Sequence, residues 1–309
     1  MKNTLQYINE LALNDPAGMV LDAENSYIAE INRIAEEIAA NDDLKIVAIA
    51  GPSASGKTTT AHILRDRLNQ LGESTEVVSL DDFYLPTERL PILEDGTRDI
   101  ESAAALDTEL INKCFNEIIS SGKTVLPRYD FAEKQRIPNA RKVDITKRGI
   151  IIAEGLHAIN PLITSQVPRK NIFKAYISVN SSIDDASGKR ILSSRQIRLA
   201  RRVLRDRSCR GASVNETLAL WNGVVEGERK NLYCFKDQAD VLIKTLHCYE
   251  PCVYKEEFLS LAKEITDTTP CREYFLPTAR ALEKFAAISR SFVPAGSLIR
   301  EFIGDGKYN

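Results

Sequence analysis

A turn of small and hydroxyl residues between two patterned stretches constrains this chain more than any other feature. Residues 45–50 are short and almost continuously apolar, which predicts a strand buried on both faces of a parallel sheet. The sequence GPSASGKTT follows, with the form G-x-x-x-x-G-K-T, and a helix is predicted over 58–71. A strand, a glycine-rich turn and a helix in this order form a binding site for nucleotide phosphates.

Each residue type in this loop has a physical role. Gly51 and Gly56 allow the backbone to bend so that successive N–H groups face phosphate oxygens. Lys57 is placed to reach the β- and γ-phosphates, and the Thr58 hydroxyl to bind Mg²⁺. The loop therefore predicts a site for ATP and Mg²⁺, with phosphate contacts from Gly51, Ser53, Ala54, Ser55, Gly56, Lys57, Thr58 and Thr59. GTPases and motor ATPases share such loops, so the rest of the chain has to define the reaction.

The remaining pattern alternates between strands and helices. Strands are predicted at 76–80, 149–153, 172–179 and 239–244. Helices are predicted at 24–40 and at 107–121, the second with Asp107 as N-cap and Gly122 just past its end. This alternation predicts an α/β fold with a doubly wound, mainly parallel sheet flanked by helices. Ligands of such folds bind at the carboxyl ends of the strands.

Three parts are predicted along the chain. They are a helical extension (1–44), a nucleotide-binding domain (45–250) and a C-terminal helical segment packed on that domain (251–309). The tail is interpreted as a helix over 277–291 followed by a short extended end. Leu282, Phe285 and Ile288 are its packing positions, and a homodimer contact through the same residues is the alternative.

Composition limits the classes of partner. The 309 residues carry a net charge of −2 and are 43% apolar, which is typical of a globular protein and argues against a nucleic-acid or membrane partner. No signal peptide or membrane-spanning run is evident, so a cytoplasmic location is expected. His247, Cys248 and Cys252 cluster, with Cys271 further on. Their spacing matches no common zinc site, and buried reduced thiols are the preferred interpretation.

Carboxylates stand at the ends of two predicted strands. Asp81 and Asp82 follow 76–80, where a kinase needs an acid to orient the acceptor hydroxyl or take its proton. Either residue could instead cap a turn. Glu154 ends the strand at 149–153 and could hold Mg²⁺ through a water beside Thr58, or cap the next helix.

Residues 189–210 are rich in arginine. Arg195, Arg198, Arg202 and Arg205 share one helical face. Three interpretations stay open at this point: a solvated face, a nucleic-acid patch, or a lid that neutralises phosphoryl charge. The neutral-to-acidic chain and the lack of interleaved aromatic residues disfavour nucleic acid.

Six motifs in order complete the pattern: GPSASGKTT, SLDDFY, PRYDF, IIAEGLHAI, RLARRVLRD and the RG pair at 210–211. Together they resemble the uridine kinase/phosphoribulokinase family of P-loop kinases over residues 45–245. The stretches ETLALWNGVVEGERKNLYCF and VPAGSLIREFIG resemble a bacterial nucleoside-kinase branch of it. The resemblance implies a P-loop fold with an Arg-rich helical lid.

The resemblance also implies roles for particular residues. Asp81 matches the base toward the ribose 5′-hydroxyl, and Glu154 the Mg²⁺-associated acid. Residues that match the nucleoside side are Tyr84, Glu101, Tyr129, Arg136 and Arg202. Residues that match the lid and phosphate contacts are Arg202, Arg205 and Arg210. With Lys57 and Asp81, Arg202 and Arg205 form the implied catalytic set.

Three positions depart from the family pattern. Lys134 stands where uridine kinases tend to have a base-reading histidine, Gln196 replaces an aspartate before the Arg-rich helix, and Ala212 replaces an arginine. The expected function is ATP- and Mg²⁺-dependent phosphorylation of a small-molecule acceptor, a nucleoside 5′-hydroxyl. One rival is a kinase of the same fold for pantothenate, glycerate or a sugar phosphate. The other is a non-catalytic nucleotide- or RNA-binding regulator.

Overall fold

The centre of the molecule is a five-stranded parallel sheet. The computed structural model describes residues 4–92, 96–130, 133, 135–145 and 149–308. The strands are β1 Ile46–Ala50, β2 Ser74–Ser79, β3 Lys123–Asp130, β4 Gln135–Asp144, β5 Gly149–Glu154, β6 Ile172–Ser178, β7 Ile183–Asp184, β8 Arg190–Leu192 and β9 Val241–Lys244. The helices are α1 Leu5–Asn14, α2 Pro16–Ala39, α3 Lys57–Gln70, α4 Thr108–Ser121, α5 Pro161–Thr164, α6 Ser194–Arg210, α7 Val214–Asn231, α8 Glu250–Ser260, α9 Arg272–Leu282 and α10 Arg300–Ile303.

The strand order across the sheet is β2-β5-β1-β6-β9, and every pairing in it is parallel. All five strands coincide with predicted strands, so the predicted α/β fold is confirmed. The chain leaves β1 toward β2 on one side and later builds β6 on the other. The loop after β1 therefore lies where the sheet changes direction, which is the usual ligand position in such folds.

Two hydrophobic cores cover the two faces of the sheet. Val47 and Ile49 of β1 point into one core, whereas Ile46, Ala48 and Ala50 point into the other. The side chains of β5 alternate in the same way. A strand buried on both faces needs apolar residues at every position, which explains the unbroken apolar run that the sequence shows.

Two predicted helices agree with the structure. In α4, the Asp107 side chain accepts a hydrogen bond from the Leu110 N–H at 3.0 Å, and Gly122 ends the helix with a φ of 72°. The helix predicted at 24–40 is the second half of the longer α2. That helix begins at Pro16, because Pro suits the first helical position and Asp15 caps the Gly18 N–H at 2.9 Å.

The predicted bounds of the tail helix are wrong. Helix α9 runs from Arg272 to Leu282 with Pro277 inside it, rather than beginning there, and α10 follows instead of an extended end. Packing accounts for the difference, since Phe275, two residues before the proline, is fully buried and stacks on Phe258 at 4.5 Å between ring centroids. The three predicted packing positions are confirmed as buried: Leu282, Phe285 and Ile288.

The terminal segments share a core with the sheet. Ile31 and Ile34 of α2 belong to the same cluster as Leu64 of α3 and Phe302 of α10. The division at residues 44 and 250 stays a prediction. Across the part of the chain that the structure describes, none of the helices combines the length and apolar character that a membrane span requires.

A buried ion pair joins α6 to α8. Arg201 Nε lies 2.7 Å from Glu250 Oε2, and neither side chain is exposed to solvent. A second bond joins Arg201 Nη2 to Glu250 Oε1 at 2.8 Å. Arg201 also donates to the main-chain oxygens of Thr245 at 2.6 Å and of Ala54 at 3.3 Å. The pair therefore connects both helices to the loop after β1.

Glu250→Gln is expected to lower the free energy of unfolding by about 3 kcal/mol, because the Arg201 charge stays buried without its counter-charge. Urea unfolding at neutral pH, followed by circular dichroism, measures the change. Glu257→Gln on the exposed side of α8 is the matched control and should change stability by less than about 0.5 kcal/mol. Equal, small losses in both variants would show that the pair does not stabilise the fold.

Candidate active site

The loop after β1 depends on two glycines. Gly56 has a φ of 91°, a left-handed conformation that glycine adopts without strain, and α3 starts at the next residue. A Cβ on Gly51 would lie 2.3 Å from the main-chain oxygen of Ile177 in β6. The loop can therefore pass close to β6 only with glycine at its first position.

Side chains from α6 and α7 hold the loop from outside. Arg198 Nε donates to the Ser53 main-chain oxygen at 2.9 Å, and Arg202 Nη1 donates to Ser53 Oγ at 2.7 Å. The Ser53 N–H donates to Glu228 Oε1 at 2.7 Å, and Glu228 also pairs with Arg198. Arg198 and Glu228 are almost completely buried, so this contact is a fixed part of the fold.

A cleft of about 220 Å³ opens between the loop, the ends of β2 and β5, and α6. Twelve of the predicted site residues line it: Ser53, Ala54, Gly56, Lys57, Thr58, Asp81, Tyr84, Glu101, Glu154, Arg202, Arg205 and Arg210. Gly51, Ser55 and Thr59 belong to the same loop and helix start. The strand ends thus bring phosphate-loop, carboxylate and arginine motifs together, although more than 150 residues separate Ser53 from Arg210 in the sequence.

The acids of the cleft lie side by side in the sheet. Glu154 ends β5 and pairs in register with Ser79 of β2, two residues before Asp81. Burial raises the pKa of Glu154 to about 7, with Lys57 opposing the shift and Asp81 adding to it. The protein atoms around Asp81 displace water from its carboxylate and raise its pKa, and the charge of Lys57 opposes this shift. Asp81 itself is open to solvent in the cleft, so its shift is screened more than that of Glu154.

The ligand-free protein is expected to lose stability as pH rises from about 4.5 to about 7 because of Glu154. Its pKa is higher in the folded than in the unfolded state, so the folded state binds more protons in that window. Glu154→Gln should remove on the order of 3 kcal/mol of this pH-dependent loss of stability. Urea unfolding midpoints of both proteins at pH 4.5 and pH 7 measure this change in stability. The same pH dependence in the natural protein and in Glu154→Gln would contradict the prediction.

Tyr84 and Glu101 line the other side of the cleft, and Tyr129, which is not a lining residue, is in contact with Tyr84. The rings of Tyr84 and Tyr129 lie 5.6 Å apart, and the Tyr84 hydroxyl donates to the Ile100 main-chain oxygen at 3.2 Å. Glu101 follows Ile100, and burial raises its pKa while Arg202 opposes the shift. A Cβ on Gly227 of α7 would lie 2.8 Å from the Glu101 Cβ, so α7 presses directly on this acid.

Arg136 lies apart from the cleft residues. Its Nη1 is 2.7 Å from Asp107 Oδ2, and both side chains are mostly buried, so it joins β4 to the start of α4.

Gln196, one of the departures from the family pattern, has a local role, because its Oε1 accepts a hydrogen bond from the Ser193 N–H at 3.0 Å and completes a capping box for α6. Ala212 lies just past the end of α6, and its N–H donates a hydrogen bond to the main-chain oxygen of Asp206 in that helix. Lys134 lies outside the described residues.

The predicted arginine helix is only partly a surface element. All residues of α6 from 197 to 204 are buried, whereas Arg195 is exposed. Arg205 Nη2 and Arg210 Nη1 lie 2.7 Å and 3.7 Å from Asp206 Oδ1 at the open end of the helix. The arginines that reach the cleft are therefore Arg202, Arg205 and Arg210.

Sequence reasoning assigned no site role to Arg201, Glu228 and Glu301, and it placed Arg198 only on the arginine-rich helical face. Helical spacing contains a signal for two of them. Arg201 falls between Ile197 and Leu204 on the buried face of α6, and Glu228 falls in line with Trp221 of α7. A charge on an apolar face requires a buried partner. Glu301 has no comparable signal.

Comparison with known proteins agrees with this geometry. Residues 46–250 match the model of the phosphoribulokinase/uridine kinase family. The uridine kinase of Lactobacillus helveticus is 26% identical over 181 residues, covering 59% of this chain and 76% of that protein. The uridine kinase of Clostridium novyi is 26% identical over 200 residues, covering 64% of this chain and 86% of that protein.

Among solved structures, YFH7 from Saccharomyces cerevisiae is 13% identical, covers 70% of this chain and 99% of its own, and superposes with a TM-score of 0.48. A superposition of this quality carries no argument about function. The family match spans well over half of the 309 residues. The chain therefore belongs to the phosphoribulokinase/uridine kinase family and is a P-loop kinase that acts on a small molecule.

Proposed function

We propose that the protein transfers the γ-phosphoryl group of ATP to the 5′-hydroxyl of a nucleoside, with uridine or cytidine as the expected acceptor. The observation that carries this proposal is that Lys57, Asp81 and three arginines line one cleft. Phosphoryl transfer needs positive charge around the moving group and an acid beside the attacking hydroxyl. The relatives named above are uridine kinases, which supports a nucleoside acceptor.

The donor side consists of the phosphate loop and the open end of α6. Lys57 starts α3, whose N-terminal N–H groups favour anions. Arg205 and Arg210 both approach Asp206, which restricts the directions of their guanidinium groups. In this proposal Lys57, Arg202, Arg205 and Arg210 stabilise the negative charge that spreads over the phosphoryl oxygens.

The residues at the cleft floor fit Mg²⁺. Thr58 and Glu154 offer a hydroxyl and a carboxylate, both hard oxygen donors of the kind that Mg²⁺ prefers. The raised pKa of Glu154 reflects a buried acid near Asp81, and a cation would relieve that unfavourable environment. When bound, Mg²⁺ would supply positive charge that offsets part of the charge of the phosphates. Thr58 and Glu154 are therefore the proposed metal residues.

Asp81 is the proposed base. It lies directly after β2 and its main-chain N–H is held by Ser79 Oγ at 3.4 Å. Its side chain is open to the cleft, so an acceptor hydroxyl can reach it. A pKa above the ordinary aspartate value makes the carboxylate a better proton acceptor. We infer that Asp81 orients the 5′-hydroxyl and accepts its proton as the phosphoryl group transfers.

The acceptor would lie between Glu101 and the tyrosine pair. Glu101 has two carboxylate oxygens to accept hydrogen bonds from two ribose hydroxyls, and Asn231 Nδ2 holds its main-chain oxygen at 3.0 Å. Tyr84 and Tyr129 offer aromatic faces for a base. An acid at this position disfavours anionic acceptors such as glycerate, pantothenate or a sugar phosphate.

A coupled ADP-release assay with ATP and Mg²⁺ tests the proposal. The acceptors are uridine, cytidine, adenosine, guanosine, inosine, pantothenate and glycerate, together with the 3′-deoxy form of any nucleoside that reacts. ADP release with one nucleoside, and a much higher KM for its 3′-deoxy form, would agree with the proposed roles of the cleft and of Glu101.

Two other outcomes would overturn the acceptor or the reaction. Release only with pantothenate or glycerate would keep the phosphoryl-transfer chemistry and replace the nucleoside. The absence of ADP release with every acceptor, together with ATP binding and strongly salt-dependent RNA binding, would favour a regulatory protein instead.

A further inference from the structure

A carboxylate of the chain itself lies at the N-terminus of the phosphate-loop helix. Glu301 Oε2 accepts hydrogen bonds from Thr59 Oγ1 at 2.7 Å and from the Thr59 main-chain N–H at 3.4 Å. Thr59 is in the first turn of α3, where unpaired N–H groups bind anions. In a phosphate loop these groups are donors to the α- and β-phosphates. Glu301 therefore uses donors that a nucleotide would need.

The segment that carries Glu301, residues 297–303, also packs on the loop at Gly56 and on α6 at Arg201. Leu298 is fully buried and fills the space beside Gly56, where a Cβ would lie 2.6 Å from Leu298 Cδ1. Phe302 is also buried and lies under the guanidinium of Arg201, 4.8 Å from the ring centroid. The contact is thus a packed interface of the segment with both the loop and α6.

The segment is anchored at its first residue. Ser297 Oγ donates to Glu24 Oε1 at 2.6 Å, and the Tyr249 hydroxyl donates to the same oxygen of Glu24. All three side chains are buried. Glu301 lies on the one-turn helix α10, four residues beyond this anchor. Leaving Thr59 takes Phe302 and Ile303 of this helix out of the core, so the docked position is favoured, while Ser297 keeps the chain attached.

Charge in the cleft supports displacement rather than joint binding. The cationic side chains in its lining are Lys57, Arg202, Arg205 and Arg210, and the carboxylates are Asp81, Glu101, Glu154, Glu228 and Glu301. The cations are therefore already matched by carboxylates. A nucleotide phosphate arriving at Thr59 would meet Glu301 at hydrogen-bond distance from the same donors, and two anions there repel each other.

We propose that residues 297–303 form an autoinhibitory segment, in which Glu301 occupies the phosphate position at Thr59 and has to leave before ATP binds. This inference rests on the proposed ATP-dependent function and describes the regulation of that same site. Only the fraction of molecules with the segment displaced binds nucleotide, so the apparent affinity is the affinity of the open form multiplied by that fraction. Anything that holds α10 away from α3 would activate the protein.

Nucleotide binding tests the inference without an acceptor. Glu301→Gln keeps a hydrogen-bond acceptor for Thr59 and removes the charge. We expect it to bind ATP and ADP about tenfold more tightly than the natural protein in calorimetric titration, because more molecules have an open site. Asp305→Asn is the matched control: it removes one carboxylate charge from the same tail, where Asp305 faces Arg290. It should leave both affinities unchanged.

Hydrogen exchange of the natural protein provides a second test that depends on no variant. Addition of ATP should speed amide exchange in residues 297–303 and slow it in the phosphate loop. Unchanged or slower exchange in the segment while ATP binds would overturn the inference. So would equal ATP affinities of the natural protein and Glu301→Gln, including the absence of binding in both.

The failure of this inference is separable from that of the proposed function. Equal affinities together with normal nucleoside phosphorylation would remove only the autoinhibitory role. Tighter binding by Glu301→Gln without turnover on any nucleoside would support autoinhibition and remove only the proposed acceptor.

Discussion

Lys57→Ala is expected to give a folded protein whose kcat is lower by about a thousandfold or more. Lys57 lines the cleft beside Asp81 and Glu154, and is the cation that the loop itself supplies to the transferring phosphoryl group. Its charge matters most where negative charge develops, so the loss should fall mainly on kcat. The affinity for ATP should fall less, because the backbone N–H groups of the loop remain.

Steady-state kinetics with the acceptor found in the panel measures this change, and calorimetry measures ATP binding separately. Lys113→Ala, on the exposed face of α4, is the matched control and should keep full activity. If kcat of Lys57→Ala stayed within about tenfold of the natural value, Lys57 would not be the main charge acting on the phosphoryl group.

Asp81→Asn is expected to keep ATP binding and to lower kcat by between about a hundredfold and ten-thousandfold. An amide can still accept a hydrogen bond from the acceptor hydroxyl but cannot take its proton at neutral pH. The substitution barely changes the size of the side chain, and Asp81 is open to solvent in the cleft, so the fold should be unaffected. Single-turnover measurements separate the chemical step from product release.

The neighbouring acid provides a close control. Asp82 Oδ1 accepts a hydrogen bond from the Tyr129 N–H at 3.2 Å, which an asparagine can replace. Asp82→Asn should therefore retain most of the activity. Near-normal turnover in Asp81→Asn would remove Asp81 from its role, and a large loss in Asp82→Asn alone would move that role to the second acid.

Local sequence pattern was enough to predict an element when all the residues that determine it lie in one continuous segment. The strand at Ile46–Ala50, the glycine-rich loop and α3 are contiguous, and each obeys a rule of backbone geometry or burial. The caps of α4 were predictable for the same reason, since Asp107 and Gly122 act on the helix that they flank. The parallel sheet then followed from the alternation of elements.

The β3–β4 hairpin was not predictable from pattern. Along β4 only Val143 is buried, and most other positions are charged or polar and exposed, so neither strand periodicity nor a core face is visible. Its partner β3 contains Pro127, and the register shifts between Leu126 and Arg128. The hairpin forms because β3 packs against α4 and the turn after β2, which are contacts between distant segments.

Much of the candidate site could be predicted, but not the contacts that enclose it. Lys57, Asp81 and Glu154 were candidates because each lies in the loop or follows a buried strand, whereas the choice of Asp81 over Asp82 and the roles of the arginines came from the family resemblance. Glu301 lies 242 residues from the threonine that it contacts. No periodicity or motif predicts such a pairing, because it depends on how α10 packs on α6 in three dimensions.

Three arginines of α6, Arg198, Arg201 and Arg202, hold the phosphate loop in its shape. Arg198 and Arg201 draw main-chain oxygens of Ser53 and Ala54 toward α6, while Arg202 holds the Ser53 hydroxyl. A peptide unit whose oxygen is held on one side directs its N–H to the other. These two peptide dipoles are therefore already oriented in the folded protein, and a nucleotide need not reorganise them on arrival, which lowers the reorganisation energy of the reaction.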